Sequence, residues 1–253
     1  NALNFNPIVE FDGSGDQLDR SVLGSDIFAA SNNTIFFVHK YYSGIVYFKW
    51  EQGSSGNRVG FENSGGSTRF DFPTDATGNQ TIGTFPFNTA GQIVTSTSNS
   101  STSTLRNMGI QNTSNPTTGT LNTSFTSNLS IGENVFFSVP SQVDFAEIII
   151  YNEALSAIDQ NKVESYLAIK YGMTLGINGT SLNYNSSGGN SIWDATLNAG
   201  YNFDIAGISR DDLTDQDQRK SKSINQLVGI DSDILTMSNG TTFTTPIAFG
   251  TDM

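Results

Sequence analysis

The chain of 253 residues contains no cysteine. That excludes disulfides, zinc–thiolate centres and cysteine nucleophiles together, though not an extracellular address, because many exported bacterial proteins do without disulfides. Charge is scarce as well. Only 14% of residues are charged, against roughly 25% in ordinary soluble domains. Surface polarity must therefore come from Ser, Thr, Asn, Gln and Gly, a profile common in extracellular β-sandwiches whose loops are built from neutral turn residues. The basic sign is the scarcer one: 12 Lys and Arg stand against 24 Asp and Glu, a formal charge of −12. Such a chain repels a phosphate backbone, which argues against nucleic acid as a partner. No stretch approaches the ~20 consecutive apolar residues of a membrane span, so membrane insertion is not expected. No signal peptide is visible either. Opening on NALNFNPIVEF, the sequence reads as an excised fragment whose export signal lies elsewhere.

What is present argues for a folded β protein. Eighteen Phe and eight Tyr are spread along the chain, whereas disordered segments are poor in aromatics. Short apolar or alternating runs recur between Gly, Ser and Asn clusters. They include FNPIVEF from Phe5, Ile35–His39, Ile45–Trp50, Arg58–Glu62, Thr68–Phe72, Thr81–Phe85, Ile93–Ser96 and Val135–Val139. Their spacing is that of a sandwich. Residues 95–128 are nearly all Thr, Ser and Asn with scattered apolar residues, and read equally as polar-faced strands or a long loop. Ala146–Tyr151 is apolar apart from Glu147 and reads as a central strand buried on two sides. It leads directly into an amphipathic helix. Ser156 is placed to cap it and Asp159 to answer the first-turn amides. Val163, Tyr166, Leu167 and Tyr171 form its apolar stripe and Gly172 its C-terminal stop. Asp159, Gln160, Lys162 and Glu164 are read as its solvated face, which makes it a cap on the sandwich.

Several words in the sequence carry a resemblance. FDGSGDQLD near the start resembles the opening segment of LamG-like modules. A strand ending in YNEALS before a short helix resembles the closing strand of laminin-G-like, concanavalin-A-like jelly rolls. The continuation KVESYLAIKYGMTL, and later IWDAT, AGY, IAGI, RDD and QRKSKS, resemble LamG-like modules of large secreted Bacteroidetes proteins. The fold class expected is all-β: a concanavalin-A/LamG-like jelly-roll sandwich over residues 1–175, with a helix at 156–171. A companion β-rich segment, residues 176–253, is expected to pack on it and add strands at an edge, with Trp193 as an anchor. The resemblance implies a non-catalytic recognition or adhesion module of a cell-surface protein handled by type 9 secretion. It implies an extracellular polysaccharide or glycoprotein as ligand, calcium in support, and other domains of the same large protein as neighbours. The alternatives are a structural spacer or protein-binding domain of an adhesin, and an accessory or degenerate domain of a secreted polysaccharide hydrolase.

The candidate chemistry is sparse. Glu10-Phe11-Asp12 begins the E-x-D-x-x-E pattern of some concanavalin-A-fold glycosidases, but Gly15 stands where the acid/base carboxylate belongs. The single histidine, His39, sits inside an apolar strand and reads as a packed or edge residue. No serine lies in a nucleophile elbow and no phosphate-binding glycine loop is present. For calcium, Asp12 and Asp16 share a tight loop that Asp144 would join if its strand lies adjacent. Turn chemistry alone explains the same residue types. Asp211, Asp212, Asp215 and Asp217 read as an acidic loop answered by Arg210, Arg219 and Lys220. For sugar stacking the candidates are Tyr41, Tyr42 and Tyr47 on one hairpin, with Asn57 and Arg58 following. Trp50, on the uniformly apolar face of its strand, reads as core.

Overall fold

The computed structural model describes residues 2–28, 32–44, 46–52, 57–64, 67–74, 78–86, 89–99, 101–116, 126–134, 139–177, 179–224 and 236–238. Among the described residues, twelve strands build the sandwich. They are β1 (Val9–Asp12), β2 (Leu18–Leu23), β3 (Asn33–Ser43), β4 (Val46–Gln52), β5 (Asn57–Ser64) and β6 (Ser67–Thr74), then β7 (Gly78–Pro86), β8 (Gln92–Ser98), β9 (Thr102–Asn107), β10 (Ile110–Pro116), β11 (Thr126–Ile131) and β12 (Gln142–Tyr151). Two six-stranded sheets result, ordered β10-β9-β8-β3-β12-β1 and β2-β11-β4-β5-β6-β7. The polar stretch after Thr95 supplies β9, β10 and β11, so serine- and threonine-rich sequence is strand here. Of the expected strand at Val135–Val139, all but its last residue lies outside the described residues.

The first sheet is covered on both faces. Along β3, Ile35, Phe37 and Tyr41 point inward to a core shared with Phe48, Phe61, Phe70 and Phe145. Phe36 and Val38 point outward into a second apolar layer. Period-two alternation thus feeds two cores from one strand, which is why β3 reads as a continuous apolar run. Phe37 stacks on Phe61 with centroids 5.2 Å apart and meets Phe145 edge-on at 4.6 Å. His39 is fully buried, stacked on Phe37 at 4.6 Å.

The helix α1 (Ala157–Tyr171) forms much of the outer cover. Ser156 caps it, its hydroxyl accepting from the Asp159 amide at 3.2 Å, and Gly172 closes it at φ 67°. Its buried face differs from the one the sequence suggests. Leu167 and Tyr171 are buried, but so are Gln160 and Glu164, while Val163 and Tyr166 are only half-covered. Glu164 has no solvent exposure. Its carboxylate takes Nε and Nη2 of Arg106, on β9, at 2.9 Å each, and the Thr95 hydroxyl, on β8, at 2.8 Å. Burial raises the Glu164 carboxyl, while the guanidinium and hydroxyl pull it back. A charged residue beside Leu167 looks solvated by periodicity, and only the position of Arg106 on the sheet reveals otherwise.

Leu3 and Met173, Leu175, Tyr184 and Ile224 complete the outer layer, with Trp193 and Ile205 packed against it. Among the described residues, the segment after α1 forms small ladders of its own, such as Tyr184–Asn185 with Ser191–Trp193 and Lys220–Lys222 with Thr236–Ser238. These described residues cover the face of the first sheet, and none of them adds an edge strand to it. Asn4 stitches these parts together. Its side-chain nitrogen lies 3.1 and 3.0 Å from the Ile169 and Lys170 carbonyls at the end of α1 and 3.0 Å from Ser221 Oγ, while its oxygen accepts from the Lys222 amide at 2.6 Å.

β12 also departs from the sequence expectation. It pairs with β3 along most of its length, from Gln142↔Ser43 to Tyr151↔Thr34, with a bulge between Phe145 and Glu147. β1 pairs with it only from Gln142↔Asp12 to Phe145↔Val9. Among the described residues, the strand is central at its start and an edge beyond Phe145. The bulge shifts the alternation, so Ile148 and Ile150 contact the inner core while Ile149 and Tyr151 contact the outer layer.

Arg106→Ala is expected to cost about 3–5 kcal/mol in urea unfolding, because it leaves a buried carboxylate without its cation. The double change Arg106→Met, Glu164→Leu should recover most of that loss. His39 gives a pH signature. Its imidazole is held neutral by burial down to about 3, against 6.5 when unfolded. Between those values the unfolded chain binds the extra proton, so this contribution is complete above pH 6.5 and drains away as pH falls. The expected slope is about 1.4 kcal/mol per pH unit in the difference between wild type and His39→Leu. Equal slopes in the two proteins would contradict it.

Candidate binding cleft

Of the residues singled out for sugar stacking, Tyr41 and Tyr42 face opposite sides of the first sheet. Tyr41 points into the core, buried, its hydroxyl donating to the Gly44 carbonyl at 2.5 Å. Tyr42 is 43% exposed on the outer side of the first sheet. Asn57 and Arg58 begin β5 opposite Gln52 and Glu51, at the far end of β4 from the β3–β4 turn. The side chains of Tyr47, Trp50, Asn57 and Arg58 lie outside the described residues.

The three carboxylates considered for calcium are likewise spent separately. Asp12 Oδ1 takes the amide and hydroxyl of Ser14 at 2.8 and 2.5 Å, bonds that hold its carboxyl below the usual range. Asp16 Oδ2 takes the Asp12 amide at 3.3 Å. The strand of Asp144 does lie beside β1, but Asp144 sits opposite Glu10 and accepts the Tyr42 hydroxyl at 2.9 Å. Among the described residues no group of three His, Asp or Glu side chains converges as a metal site would require. These carboxylates are used as turn and ladder partners and do not form one ligand set. In the later acidic loop, Arg210 pairs with Asp212 at 2.6 Å and Arg219 with Asp217 at 2.8 Å. Asp211 instead accepts from Ser187.

Elsewhere the structure holds a cleft of about 570 Å³ between α1 and the outer face of β12. The bulge in β12 sets its floor by turning Glu147, Ile149 and Tyr151 to one side. Asp159, Lys162, Val163 and Tyr166 form the facing wall, a stripe at i, i+3, i+4 and i+7 on the first three turns of the helix. Glu153, in the connection to the helix, and Leu213 and Thr214, in a later turn, complete the lining. That turn is held by Asp211, whose carboxylate takes the Ser187 hydroxyl at 2.8 Å and the Leu213 amide at 3.1 Å.

The polar groups of the cleft are held in fixed positions. Lys170 Nζ donates to Glu147 Oε2 at 2.8 Å and to the Tyr166 hydroxyl at 2.7 Å. The Tyr171 hydroxyl also reaches Glu147 Oε2, at 2.8 Å. Lys162 pairs with Asp159 at 2.9 Å, and the Ser156 hydroxyl and this ammonium keep the Asp159 carboxyl low. Burial, then the charge of Glu153, raises the Tyr151 hydroxyl. The result is two tyrosine rings flanked by carboxylates and an ammonium, in a volume typical of small-molecule sites. Sequence reading missed these residues because Val163 and Tyr166 looked like core and Asp159 like a helix cap. The eight residues between Glu147 and the cap at Ser156 give no local signal of a cavity.

With this geometry in view, comparison with known proteins places the fold. The family described as a domain of unknown function (DUF8202) matches residues 159–249. No curated protein matches the chain. Among solved structures, the receptor binding domain of botulinum neurotoxin C/D mosaic serotype is similar at a TM-score of 0.50 and 15% identity, over 66% of this chain and 45% of that one. The receptor binding domain of botulinum neurotoxin D gives 0.50 and 15% over 67% and 46%. The CBM40 of a Ruminococcus gnavus IT-sialidase, bound to α2,3 sialyllactose, gives 0.47 and 16% over 60% and 93%. This chain thus spans less than half the length of the toxin domains it matches. At such identities the likeness defines the class of fold, a β-rich sandwich.

Tyr42 offers a direct check on the described geometry. Partial burial, then the bond to Asp144, pushes its hydroxyl up to about 12. Asp144→Asn is expected to bring the Tyr42 titration down toward 10, followed by NMR or ultraviolet absorbance. No movement would remove the bond.

Proposed function

We propose that the chain is a non-catalytic recognition module of an exported, cell-surface protein, and that the α1–β12 cleft is where it holds a glycan. The observation that carries this reading is the pairing of Tyr151 and Tyr166 with Glu147, Glu153, Asp159 and Lys162 in one open cavity. Pyranose rings offer apolar faces to aromatic side chains and hydroxyls to carboxylates and amines, so this lining suits them. A charge-poor surface and a fold shared with receptor-binding domains support the reading. The LamG-like resemblance supports the exported setting. Calcium has no place in the cleft as proposed, so binding should survive EDTA.

The test is a glycan array with the wild-type chain, Glu153→Ala and Tyr151→Phe,Tyr166→Ala. Binding by the wild type that falls at least about tenfold in both variants, with unchanged melting, is the expected result. Retention of binding in both variants would move the site away from the cleft. Release of reducing ends from a polysaccharide would replace recognition with catalysis.

A second reading, protein contact within an adhesin, has its own observation. Ile192, Leu197, Tyr201 and Phe203 are exposed on a loop held shut by Trp193 Nε1 donating to Asn202 Oδ1 at 2.7 Å. A rigid loop displaying four large apolar side chains suits contact with a neighbouring domain.

A further inference from the structure

The free edge of β12 is the feature that the glycan reading leaves unused. From Ala146 to Tyr151 the strand is AEIIIY, partly exposed at every residue, and among the described residues no strand pairs with its β1 side. β1 runs alongside only as far as Val9↔Phe145. The chain preceding it then turns away. Pro7 has no amide to give a ladder, and the side chains of Asn4 and Asn6 bond the carbonyls at the end of α1. Edge strands in native proteins are usually short, charged or interrupted by proline. Beyond its bulge this one carries a single charge, Glu147, already neutralised by Lys170.

Cavities flank this edge on both faces. On the outer face is the α1–β12 cleft, reached by Glu147, Ile149 and Tyr151. Towards the inner face is a hollow of about 180 Å³ lined by Val9, Phe11, Leu18, Ile131, Phe145 and Ile148 together with Ala146 and Glu147. A strand laid on the edge projects its side chains alternately to the two faces. In the outer cavity Glu147 and Asp159 are paired with Lys170 and Lys162, and Glu153 adds one further negative charge; the inner one is apolar apart from Glu147, which lines both.

We infer that the edge of β12 from Ala146 to Tyr151 receives an extended peptide strand of another polypeptide, with basic side chains turned to the cleft and aliphatic ones to the inner hollow. Only an extended backbone completes the ladder, and the two linings fix the alternation of its side chains. With Glu147 and Asp159 paired, Glu153 is the carboxylate left to meet a cationic side chain of the strand. A second copy of this chain, itself at −12, is the wrong partner electrostatically. This inference goes beyond the glycan reading and does not depend on it.

The experiment uses the whole chain and a soluble twelve-residue peptide alternating lysine and valine, with a glutamate–valine peptide and a scrambled lysine–valine peptide as controls. Amide hydrogen exchange is followed residue by residue. The lysine–valine peptide is expected to slow exchange across 146–151 and to bind at least about tenfold more tightly than either control. Leu18→Glu, which charges the inner hollow at a residue 53% exposed, should weaken the peptide by about tenfold or more. It should leave any glycan binding unchanged, because Leu18 is not in the cleft. Peptide binding without protection of 146–151, or equal binding of the controls, would overturn the inference. So would protection that appears without peptide as protein concentration rises, since that assigns the edge to a second copy. Failure of the glycan array would leave these outcomes untouched.

Discussion

The contact between Glu164 and Arg106 governs how the outer layer sits on the sandwich. A sheet covered on both faces needs apolar cover, but apolar contact alone lets a helix slide. The buried carboxylate removes that freedom, because both its oxygens are satisfied only when α1 lies over β8 and β9 with Thr95 and Arg106 beneath it. Desolvating the pair is costly, and its return is a single helix position. Everything on the far side of α1 inherits that position. The cleft wall of Asp159, Lys162 and Tyr166 faces β12 because Glu164 faces β9.

A second set of polar contacts holds the other end of the helix. Gly172 ends α1 in the left-handed region, and its carbonyl accepts the Ile224 amide at 2.7 Å. Asn4 binds the last helical carbonyls and the Lys222 amide together. Three stretches far apart in sequence therefore meet at one helix terminus, where unsatisfied carbonyls are available to hold them. The family match begins at Asp159, inside α1. The helix and the segment that follows it share one apolar layer, so a unit that begins with the helix is physically sensible.

The fold was legible in the sequence where a pattern belongs to one element. Alternation in β3, the Ser156 cap and the Gly172 stop are local signals, and they locate the sandwich and its helix. The reading failed where the deciding partner is remote. Glu164 looks solvated until Arg106 is placed opposite, and Ala146–Tyr151 looks central until β1 is seen to end at Val9. The polar run after Thr95 left its structure open because its buried serines and threonines lie between strands of similar composition. Ser98 and Ser103, for instance, satisfy each other across β8 and β9 at 2.5 Å. The candidate site was least legible, since a cleft is a gap between elements and its residues serve local roles as well.

The extra residue in β12 at Ala146 has a consequence for which changes the chain can absorb. It acts as a phase shifter: downstream of it, odd and even positions exchange sides relative to the start of the strand. Losing Ala146 itself would remove the bulge and leave a regular ladder, with Glu147 still outward and Ile148 still inward. Losing a residue beyond it, such as Ile148, would turn every later side chain of the strand to the opposite face. Beyond the bulge, the strand's residue count is thus under tighter constraint than its residue identities.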